Sequence, residues 1–281
     1  MKTKVPTLKQ ATAITYKRRK NGMPSAKDFL TSMKHNIESL GDIKVTKVTT
    51  SLISRMNDYN MKRPNNSEVV NKKMGHLRLV LDDMKDDGFL VKLPEFPKPR
   101  PVKKNHKVNY LTVEMEQELL DKLEEWELFE HRDVFKCLID LGCRVSELLM
   151  LEKRFVDYKK NQIIFIQRKN GKPVGVPMSN KVQSILKPYY NRCNTCERLF
   201  KHDYYWANSV FQKVKKELGY ADKKYYKIHI FRDTTASRLV QAGVHLLVVK
   251  DWLGHENVSM TEKYSHLAPT ALHSVVGVLN A

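Results

Sequence analysis

Apolar residues recur at helical spacing through the first third of the chain. The longest stripe has spacings of 4, 3, 4 and 3 residues, which place its members on one face of a long helix. These members are Val70, Met74, Leu77, Leu81 and Met84. Two shorter helices are predicted before it, over about residues 25–41, where Ser25 and Asp28 have the spacing of a capping box, and about residues 49–61. The pattern therefore predicts a small all-helical domain over residues 24–93.

From residue 110 onward the chain combines helical periodicity with one strand-like stretch. QIIFIQRKNGKPVGVPM is rich in β-branched residues around Asn170-Gly171, a dipeptide that favours a tight hairpin turn. Helices are predicted around it, at about residues 113–125, 132–141, 144–151, 180–190, 205–218, 231–241, 246–253 and 260–267. The predicted fold class is mainly α with a small β-sheet, an α+β arrangement.

A proline-rich segment separates these two regions. The stretch EFPKPRPVKKNHKV holds three prolines and five basic side chains, and repeated proline favours extended chain over helix. We expect a basic linker over residues 94–109 and a basic N-terminal arm of weak periodicity over residues 1–23. The mixed domain then covers residues 110–270, and a short tail covers residues 271–281.

Composition excludes several classes of protein. No run of 18 apolar residues is present, so no membrane span is expected, and the basic N-terminus lacks the apolar core of a secretory signal. Four cysteines are too few for a disulfide scaffold and fit a reducing compartment. Cys193 and Cys196 form one CxxC motif, a weak zinc signal with only His202 nearby. We expect free thiols there, and neither a metal nor a cofactor.

Charge adds information that the pattern does not. Lysine and arginine exceed aspartate and glutamate by 19, and residues 1–107 carry 24 basic against 10 acidic side chains. Such an excess predicts binding to a polyanion such as nucleic acid, with a highly solvated surface or a ribosome-associated protein as alternatives. The N-terminal third is the stronger candidate for holding a phosphate backbone. Lys72, Lys73 and Arg78 lie off the apolar stripe and are candidates for that contact.

Short motifs in the last third carry candidate chemistry. His229 and Arg232 are three residues apart, which places them on one helical face. In WLGH, Gly254 suits the end of a helix, where it would turn the chain and project His255 back. Each residue also has an ordinary structural interpretation, His229 as a core histidine and Arg232 as a surface ion-pair partner.

Tyr264 is one of twelve tyrosines, and by itself it has the character of a half-buried packing residue. In SMTEKY, however, Ser259 and Glu262 have the spacing of a capping box. Tyr264 is therefore predicted to lie about one turn into a new helix.

Taken together and in order, these positions resemble the tyrosine recombinase (phage integrase) family. The family's first arginine box is matched by LGCRVSELLML, its hairpin lysine by the residue before Asn170-Gly171, and its later boxes by HIFR, LGH and TEKYSHL. The catalytic residues implied by the resemblance are Arg144, Lys169, His229, Arg232, His255 and Tyr264, at intervals of 25, 60, 3, 23 and 9 residues. The resemblance covers residues 110–270 well. The helical domain at 24–93 resembles the family's core-binding domain only in length, helicity and charge.

The resemblance implies a site-specific recombinase that cuts and rejoins duplex DNA through a 3′-phosphotyrosine, integrating or excising phage or mobile-element DNA without metal or ATP. Arg144 and Arg232 would bind the phosphate, with Glu147 orienting Arg144 or another active-site group. Tyr264 would attack the phosphorus, and the neighbouring arginines would favour its phenolate form. Lys169 would protonate the leaving 5′-oxygen.

His229 and His255 would add donors to the phosphate or help to remove the tyrosine proton. One position departs from the family pattern: the residue after the second arginine is often histidine in relatives, and here it is Asp233. We therefore expect different hydrogen bonding around Arg232.

The expected partners are double-stranded DNA recombination sites and a homotetramer on two such sites, with an excision factor or a host DNA-bending protein as further candidates and no membrane. The expected location is the cytoplasm of a bacterial host, at the nucleoid. The apolar tail over residues 271–281 would pack in cis or on a neighbouring subunit. Alternatives are a cellular Xer-like resolvase of chromosome or plasmid dimers, a non-catalytic DNA-binding relative and a type IB topoisomerase.

Overall fold

Helices form most of the molecule. The computed structural model describes residues 4–23, 25–62, 67–101, 108–166 and 173–269, without the side chains of residues 61 and 62. The chain folds into two compact units, Met1–Lys104 and Asn105–Ala281, and a three-stranded sheet lies in the second. No helix within the described ranges is long and apolar enough to cross a bilayer. The fold is mainly helical with a small β-sheet, as the sequence predicted.

The core of the first unit is built from α-helices. They are α1 (Leu8–Thr15), α2 (Ala26–Leu40), α3 (Thr50–Lys62) and α4 (Ser67–Asp86). All five residues of the predicted stripe on α4 are buried, and those from Met74 to Met84 share the core with Phe29 and Met33 of α2. Gly41 ends α2 with a positive φ of 81°.

Helix α1 falls within the 23 residues for which an arm of weak periodicity was expected. Thr7 and Gln10 form a capping box at its start, and Leu8 and Ala11 are fully buried in the core of the first unit. Eight residues are too few for a strong periodic signal, and the helix is stabilised by packing rather than by its own propensity.

Basic side chains that follow α1 pair with an acidic turn at the end of α4. The Arg19 Nη2 atom lies 2.5 Å from Oδ1 of Asp83, whose side chain is fully buried. The Arg18 Nη2 atom lies 2.9 Å from Oδ1 of Asp87. A buried carboxylate needs such partners because burial removes its water. Part of the basic excess of this segment therefore holds the first unit together.

Lys73 corrects one expectation about charge. It was a candidate for an exposed cation, but it is buried, and its Nζ donates to Oδ1 of Asn60 on α3 at 3.1 Å. Asn36 of α2 donates to the Lys73 carbonyl at 2.9 Å. Helices α2 and α3 cover a wider face of α4 than the apolar stripe, so a lysine beside the stripe is buried. Lys72 and Arg78 remain exposed.

Part of the proline-rich segment is folded against the first unit. The side chain of Asn71 bonds both to the carbonyl of Arg100, at 2.8 Å, and to its N–H, at 2.9 Å. The Arg100 guanidinium also pairs with Asp58 at 2.9 Å. The prolines explain why this stretch is not helical. The hydrogen bonds and the ion pair of Arg100 attach it to the first unit as far as residue 100.

The second unit places helices around the sheet. They are α5 (Val113–Glu125), α6 (Phe129–Leu141), α7 (Val145–Leu149), α8 (Asn180–Arg192), α9 (Tyr204–Glu217), α10 (Ile230–Gln241) and α11 (Leu246–Leu253). The Thr112 side chain caps α5 by accepting from the Met115 N–H, as predicted. Phe135, Phe211 and Phe231 are fully buried together and join α6, α9 and α10 in one core.

The sheet is an antiparallel meander of β1 (Val156–Asp157), β2 (Gln162–Ile166) and β3 (Pro173–Pro177). Strand β3 lies at an edge of the sheet. An edge strand tolerates proline at its ends, because it pairs with a neighbouring strand on one side alone. Ile163 and Phe165 of β2 are buried and alternate with more exposed neighbours. The two strands that flank the predicted turn are present, and the turn at Asn170-Gly171 lies outside the described residues.

The chain after α11 contains short 3₁₀ helices, Val258–Met260 and Glu262–Leu267. Tyr264 therefore lies in a 3₁₀ helix rather than in the α-helix that was predicted. The capping box of Ser259 and Glu262 is not formed, since neither 3₁₀ helix has a side-chain cap. Thr261 directly precedes the second 3₁₀ helix, and its hydroxyl is hydrogen-bonded to His255.

Candidate active site

Arg232 is held in place by two backbone carbonyl groups. It lies in the first turn of α10 with 3% of its surface exposed. Its Nη1 donates to the Gly142 carbonyl at 2.8 Å, and its Nη2 donates to the Leu253 carbonyl at 2.6 Å. These carbonyls mark the C-terminal ends of α6 and α11, where the helix dipole favours a cation. Burial, and then repulsion by Arg144, lowers its pKa, but a guanidinium remains charged.

Gly142 has no room for a side chain. Its φ is +65°, and a Cβ atom there would lie 2.9 Å from Leu253 Cδ2 and 3.0 Å from Thr235 Cβ. The glycine of the LGCR motif therefore lets α6 end close to α10 and α11. This close approach brings the Gly142 carbonyl within reach of Arg232.

Arg144 lies at the N-terminus of α7 and is paired with Glu147. The Arg144 Nη1 atom lies 2.5 Å from Glu147 Oε1, and the Arg144 backbone N–H donates to Oε2 at 2.8 Å. The Glu147 side chain is mostly buried, whereas 39% of the Arg144 side chain is exposed. The carboxylate thus orients a cation that faces solvent, which agrees with the role expected for Glu147.

His229 precedes α10 and remains exposed. Protein atoms still crowd the ring enough to lower its pKa by desolvation, while Asp233 opposes the shift and Arg232 adds to it. The i, i+3 spacing places His229 and Arg232 at the same end of α10.

His255 is turned into the protein by the end of α11. Gly254 has a φ of 64°, and the His255 N–H bonds back to the Lys250 carbonyl at 2.9 Å, as the WLGH motif predicted. The ring is buried, with Nδ1 2.8 Å from the Thr261 hydroxyl. Desolvation, and then the charges of Arg232 and Lys263, lowers the pKa of His255 to about 3. The ring is therefore neutral at physiological pH.

The Tyr264 hydroxyl is bound to a carboxylate. It donates to Asp233 Oδ1 at 2.6 Å, and Tyr264 is only 1% exposed. Lys263 donates to the same oxygen at 2.8 Å. Burial raises the pKa of Tyr264, and Asp233 raises it further, while Arg232 lowers it. Arg232 thus favours the phenolate, as expected, but burial and the carboxylate of Asp233 outweigh it, so the phenol stays protonated in this arrangement.

Five of the six predicted positions converge within the second unit. The charges of Arg144, Arg232 and Lys263 all act on His255, and Arg232 acts on Tyr264. The sixth position, Lys169, lies outside the described residues. The arrangement presents cationic donors beside a tyrosine hydroxyl, which is suited to binding an anion next to a nucleophile.

The cysteine motif lies away from this arrangement. The Cys193 thiol is buried and donates to the Arg198 carbonyl at 3.2 Å, whereas Cys196 is exposed. Among the residues with described positions, no three histidine, cysteine or acidic side chains gather as a metal site would require.

Contacts that the motifs did not reveal complete the site. Asp233 was noted only as a departure from the family pattern, and its bond to Tyr264 depends on how the 3₁₀ helix folds back on α10. Thr261 and Lys263 carry no motif of their own. Their closeness to Tyr264 in sequence was a reason to consider them as site residues. The sequence alone does not tell the direction in which their side chains point.

Comparison with known proteins identifies the family. The model of the phage integrase family matches residues 109–271, more than half of the chain. The integrase of Salmonella phage P22 is 26% identical over 202 residues, covering 66% of this chain and 50% of that protein. The integrase of Haemophilus phage HP1 is 24% identical over 273 residues, covering 90% and 74%. The chain spans about half the length of the first curated relatives that it matches.

Solved structures agree in fold. The Tn1549 transposon integrase, in complex with a circular intermediate DNA, has a TM-score of 0.78 at 17% identity, covering 98% of this chain and 99% of that one. A lambda integrase tetramer bound to a Holliday junction has a TM-score of 0.72 at 14% identity, covering 93% and 78%. Together with the sequence match over residues 109–271, these similarities lead to one conclusion: the chain belongs to the phage integrase family, the tyrosine recombinases.

Proposed function

We propose that this chain is a site-specific DNA recombinase that cuts and rejoins duplex DNA through a phosphotyrosine. The observation that carries the proposal is the gathering of Arg144, Arg232 and His229 about His255, with Arg232 also acting on the buried Tyr264. Relatives that are named integrase or tyrosine recombinase support it.

The arginines would bind the scissile phosphate. Arg232 uses two donors to hold its own position, and a guanidinium has five N–H groups in all, so donors remain for an anion. Arg144 is the more exposed of the pair and would meet the phosphate first. Fixed donors of this kind stabilise the charge that develops on the equatorial oxygens during phosphoryl transfer.

Tyr264 would attack the phosphorus and form a covalent intermediate, which divides strand exchange into two steps. The phosphotyrosine conserves the bond energy, so a free 5′-hydroxyl from another strand can reseal the backbone without ATP. Lys169 is the proposed general acid for the leaving 5′-oxygen. Since Tyr264 is buried, its hydroxyl must become accessible when DNA enters.

The proposed partner is double-stranded DNA at recombination sites. Exposed lysines such as Lys17 and Lys72, and the excess of 24 basic over 10 acidic side chains in residues 1–107, favour phosphate contacts. Exchange of two pairs of strands needs four active sites, so we propose a homotetramer on two sites, with an excision factor or a host DNA-bending protein as further partners. The nucleoid of a bacterial cell would then be its place of action.

Within this class we favour an integrase of a phage or other mobile element over a cellular resolvase of chromosome or plasmid dimers. The high lysine content and basic N-terminus support this choice. A tRNA gene or an excision-factor gene adjacent to the reading frame would agree with it, whereas a dimer-resolution site beside the gene would contradict it.

The proposal is tested by trapping the covalent intermediate. Nicked duplexes that tile the DNA flanking the coding sequence serve as substrates, and the adduct is detected on a denaturing gel. The wild-type chain is expected to form an adduct, and Tyr264→Phe is expected to form none while still binding DNA. Tyr205→Phe, which changes an exposed tyrosine of α9, is the matched control and should form the adduct normally.

Formation of an adduct by Tyr264→Phe would overturn the nucleophile assignment. Relaxation of a supercoiled plasmid that lacks any flanking sequence tests the topoisomerase alternative. Efficient relaxation there would contradict the recombinase proposal, because a recombinase acts at its own sites.

A further inference from the structure

The hydroxyl of Tyr264 makes a close contact with the carboxylate of Asp233 that no family motif assigns. The 2.6 Å separation is typical of a hydrogen bond from a hydroxyl to a carboxylate. Asp233 directly follows Arg232 on α10, so the carboxylate and the guanidinium extend from the same turn of the helix. None of the matched family positions accounts for this carboxylate.

The histidines are less suited to receive the tyrosine proton. Within the described part of the chain, neither His229 nor His255 hydrogen-bonds to the Tyr264 hydroxyl, whereas Asp233 does. His255 Nδ1 is already engaged with the Thr261 hydroxyl at 2.8 Å. A general base must be within hydrogen-bonding reach of the proton that it removes, and geometry therefore favours Asp233.

The surrounding charges allow a carboxylate beside an anionic substrate. Lys263 donates to Asp233 Oδ1 at 2.8 Å and its side chain is 43% exposed. Arg232 and Arg144 add two further positive charges nearby. The two carboxylates, Asp233 and Glu147, are outnumbered by these three positive charges, so the site stays cationic and still attracts a phosphate.

We propose that Asp233 is a catalytic residue that accepts the proton of Tyr264 during strand cleavage. This role rests on the proposed recombinase function. As the phenol oxygen bonds to phosphorus, its proton passes to Asp233 Oδ1 and the bond from phosphorus to the 5′-oxygen breaks. The leaving oxygen takes a proton from a separate acid, proposed above to be Lys169. During rejoining, a 5′-hydroxyl attacks the phosphotyrosine, and protonated Asp233 returns its proton to the tyrosine.

The first test compares cleavage rates of the full chain and Asp233→Asn on the same nicked duplexes. The amide keeps the shape and can still accept a hydrogen bond, but it does not take up the proton. We expect cleavage to slow by about 100-fold or more, in the range typical of general bases. Asp121→Asn is the matched control, because it makes the same replacement at an exposed carboxylate of α5 that bonds to Gln117, and it should cleave at the wild-type rate.

The second test replaces Tyr264 with 2,3,5-trifluorotyrosine, whose phenol ionises more readily. If Asp233 takes the proton, the slowing caused by Asp233→Asn should shrink strongly in this background. An equal slowing with either tyrosine would mean that the carboxylate only maintains structure, and it would overturn the role. Unchanged cleavage by Asp233→Asn would overturn the role as well. Faster cleavage would also overturn it, because the hydrogen bond to Asp233 would then be a restraint on Tyr264.

The outcomes separate this role from the function on which it rests. A wild-type chain that forms no adduct on any tiled duplex would overturn the recombinase proposal and the role together. A wild-type adduct with full activity of Asp233→Asn would overturn the role alone. Slowing of Asp121→Asn to the same extent as Asp233→Asn would also count against it, because the effect would then not depend on the carboxylate that contacts Tyr264.

Discussion

The guanidinium of Arg232 and the carbonyl of Gly142 are joined by a 2.8 Å hydrogen bond that spans 90 residues of sequence. A lysine at position 232 would keep the charge but lose the planar fork that reaches Gly142 and Leu253 together.

Arg232→Lys should therefore slow adduct formation by about 100-fold or more and lower the free energy of unfolding, because at least one of the two buried carbonyls loses its donor. Cleavage rates and urea denaturation check both effects. Arg238→Lys on the same helix should change little, since a lysine there can still pair with Glu116. Equal behaviour of the two variants would contradict the proposed importance of the fork.

Gly142→Ala should destabilise the second unit more than Gly243→Ala does. Both glycines have positive φ, 65° and 79°, so each replacement carries a backbone cost of about 1–2 kcal/mol. At Gly142 the new Cβ also meets Leu253 and Thr235, which adds about 1–3 kcal/mol, whereas nothing lies within 4 Å at Gly243. Urea denaturation of the two variants measures the difference, and equal losses would argue against the close approach.

The protein should lose stability as the pH falls below about 6.5. The pKa of His255 is lowered to about 3 in the folded chain from 6.5, so the unfolded chain binds this proton more readily. Stability from this group is complete above pH 6.5 and declines towards pH 3, by at most about 1.4 kcal/mol per pH unit.

His255→Asn should make the dependence of the unfolding free energy on pH shallower between pH 6.5 and 5. A residual slope is expected, since the pKa values of His131 and His229 are lowered too. Urea titrations at several pH values test this, and identical slopes in the two proteins would contradict it.

Arg19→Met should destabilise the first unit, because it removes a direct partner from the buried carboxylate of Asp83. A loss of about 1–3 kcal/mol is expected for a buried acceptor left poorly satisfied. Lys17→Met, in the same basic segment, should leave stability unchanged, since Lys17 is exposed. If both variants unfold at the same urea concentration, Arg19 has no such structural role.

Lys169→Ala should slow cleavage of ordinary DNA strongly, because the leaving 5′-oxygen then lacks its proton donor. A substrate with a 5′-bridging sulfur needs little protonation of its leaving group, and it should restore the rate. Gel assays of adduct formation with both substrates make the comparison. Failure of the sulfur substrate to rescue the variant would show that Lys169 has another role.

The sequence predicted those features that depend on local spacing. The stripe from Val70 to Met84 forms a buried helical face, and Gly254 ends its helix and turns His255 inward. Both outcomes follow from backbone geometry, which a few neighbouring residues determine. The ordered spacing from Arg144 to Tyr264 likewise sufficed to identify the family.

Features that depend on tertiary contacts were missed. Helix α1 is short, and its stability comes from the burial of Leu8 and Ala11. The box of Ser259 and Glu262 gives way to a 3₁₀ helix that begins at Glu262, directly after Thr261. The protonation of Tyr264 depends on its burial and on Asp233, and neither can be read from the distance between residues in sequence.

The attachment of Arg232 to main-chain oxygens has a consequence for protein engineering. Every amino acid supplies a peptide carbonyl, so replacing side chains on the outer faces of α6 and α11 leaves both acceptors of Arg232 in place, provided that Gly142 is kept. A library that randomises those faces in search of new target sites would thus begin from an anchored Arg232, the group proposed to bind the phosphate. Selection could then act on recognition while the reaction centre stays constant.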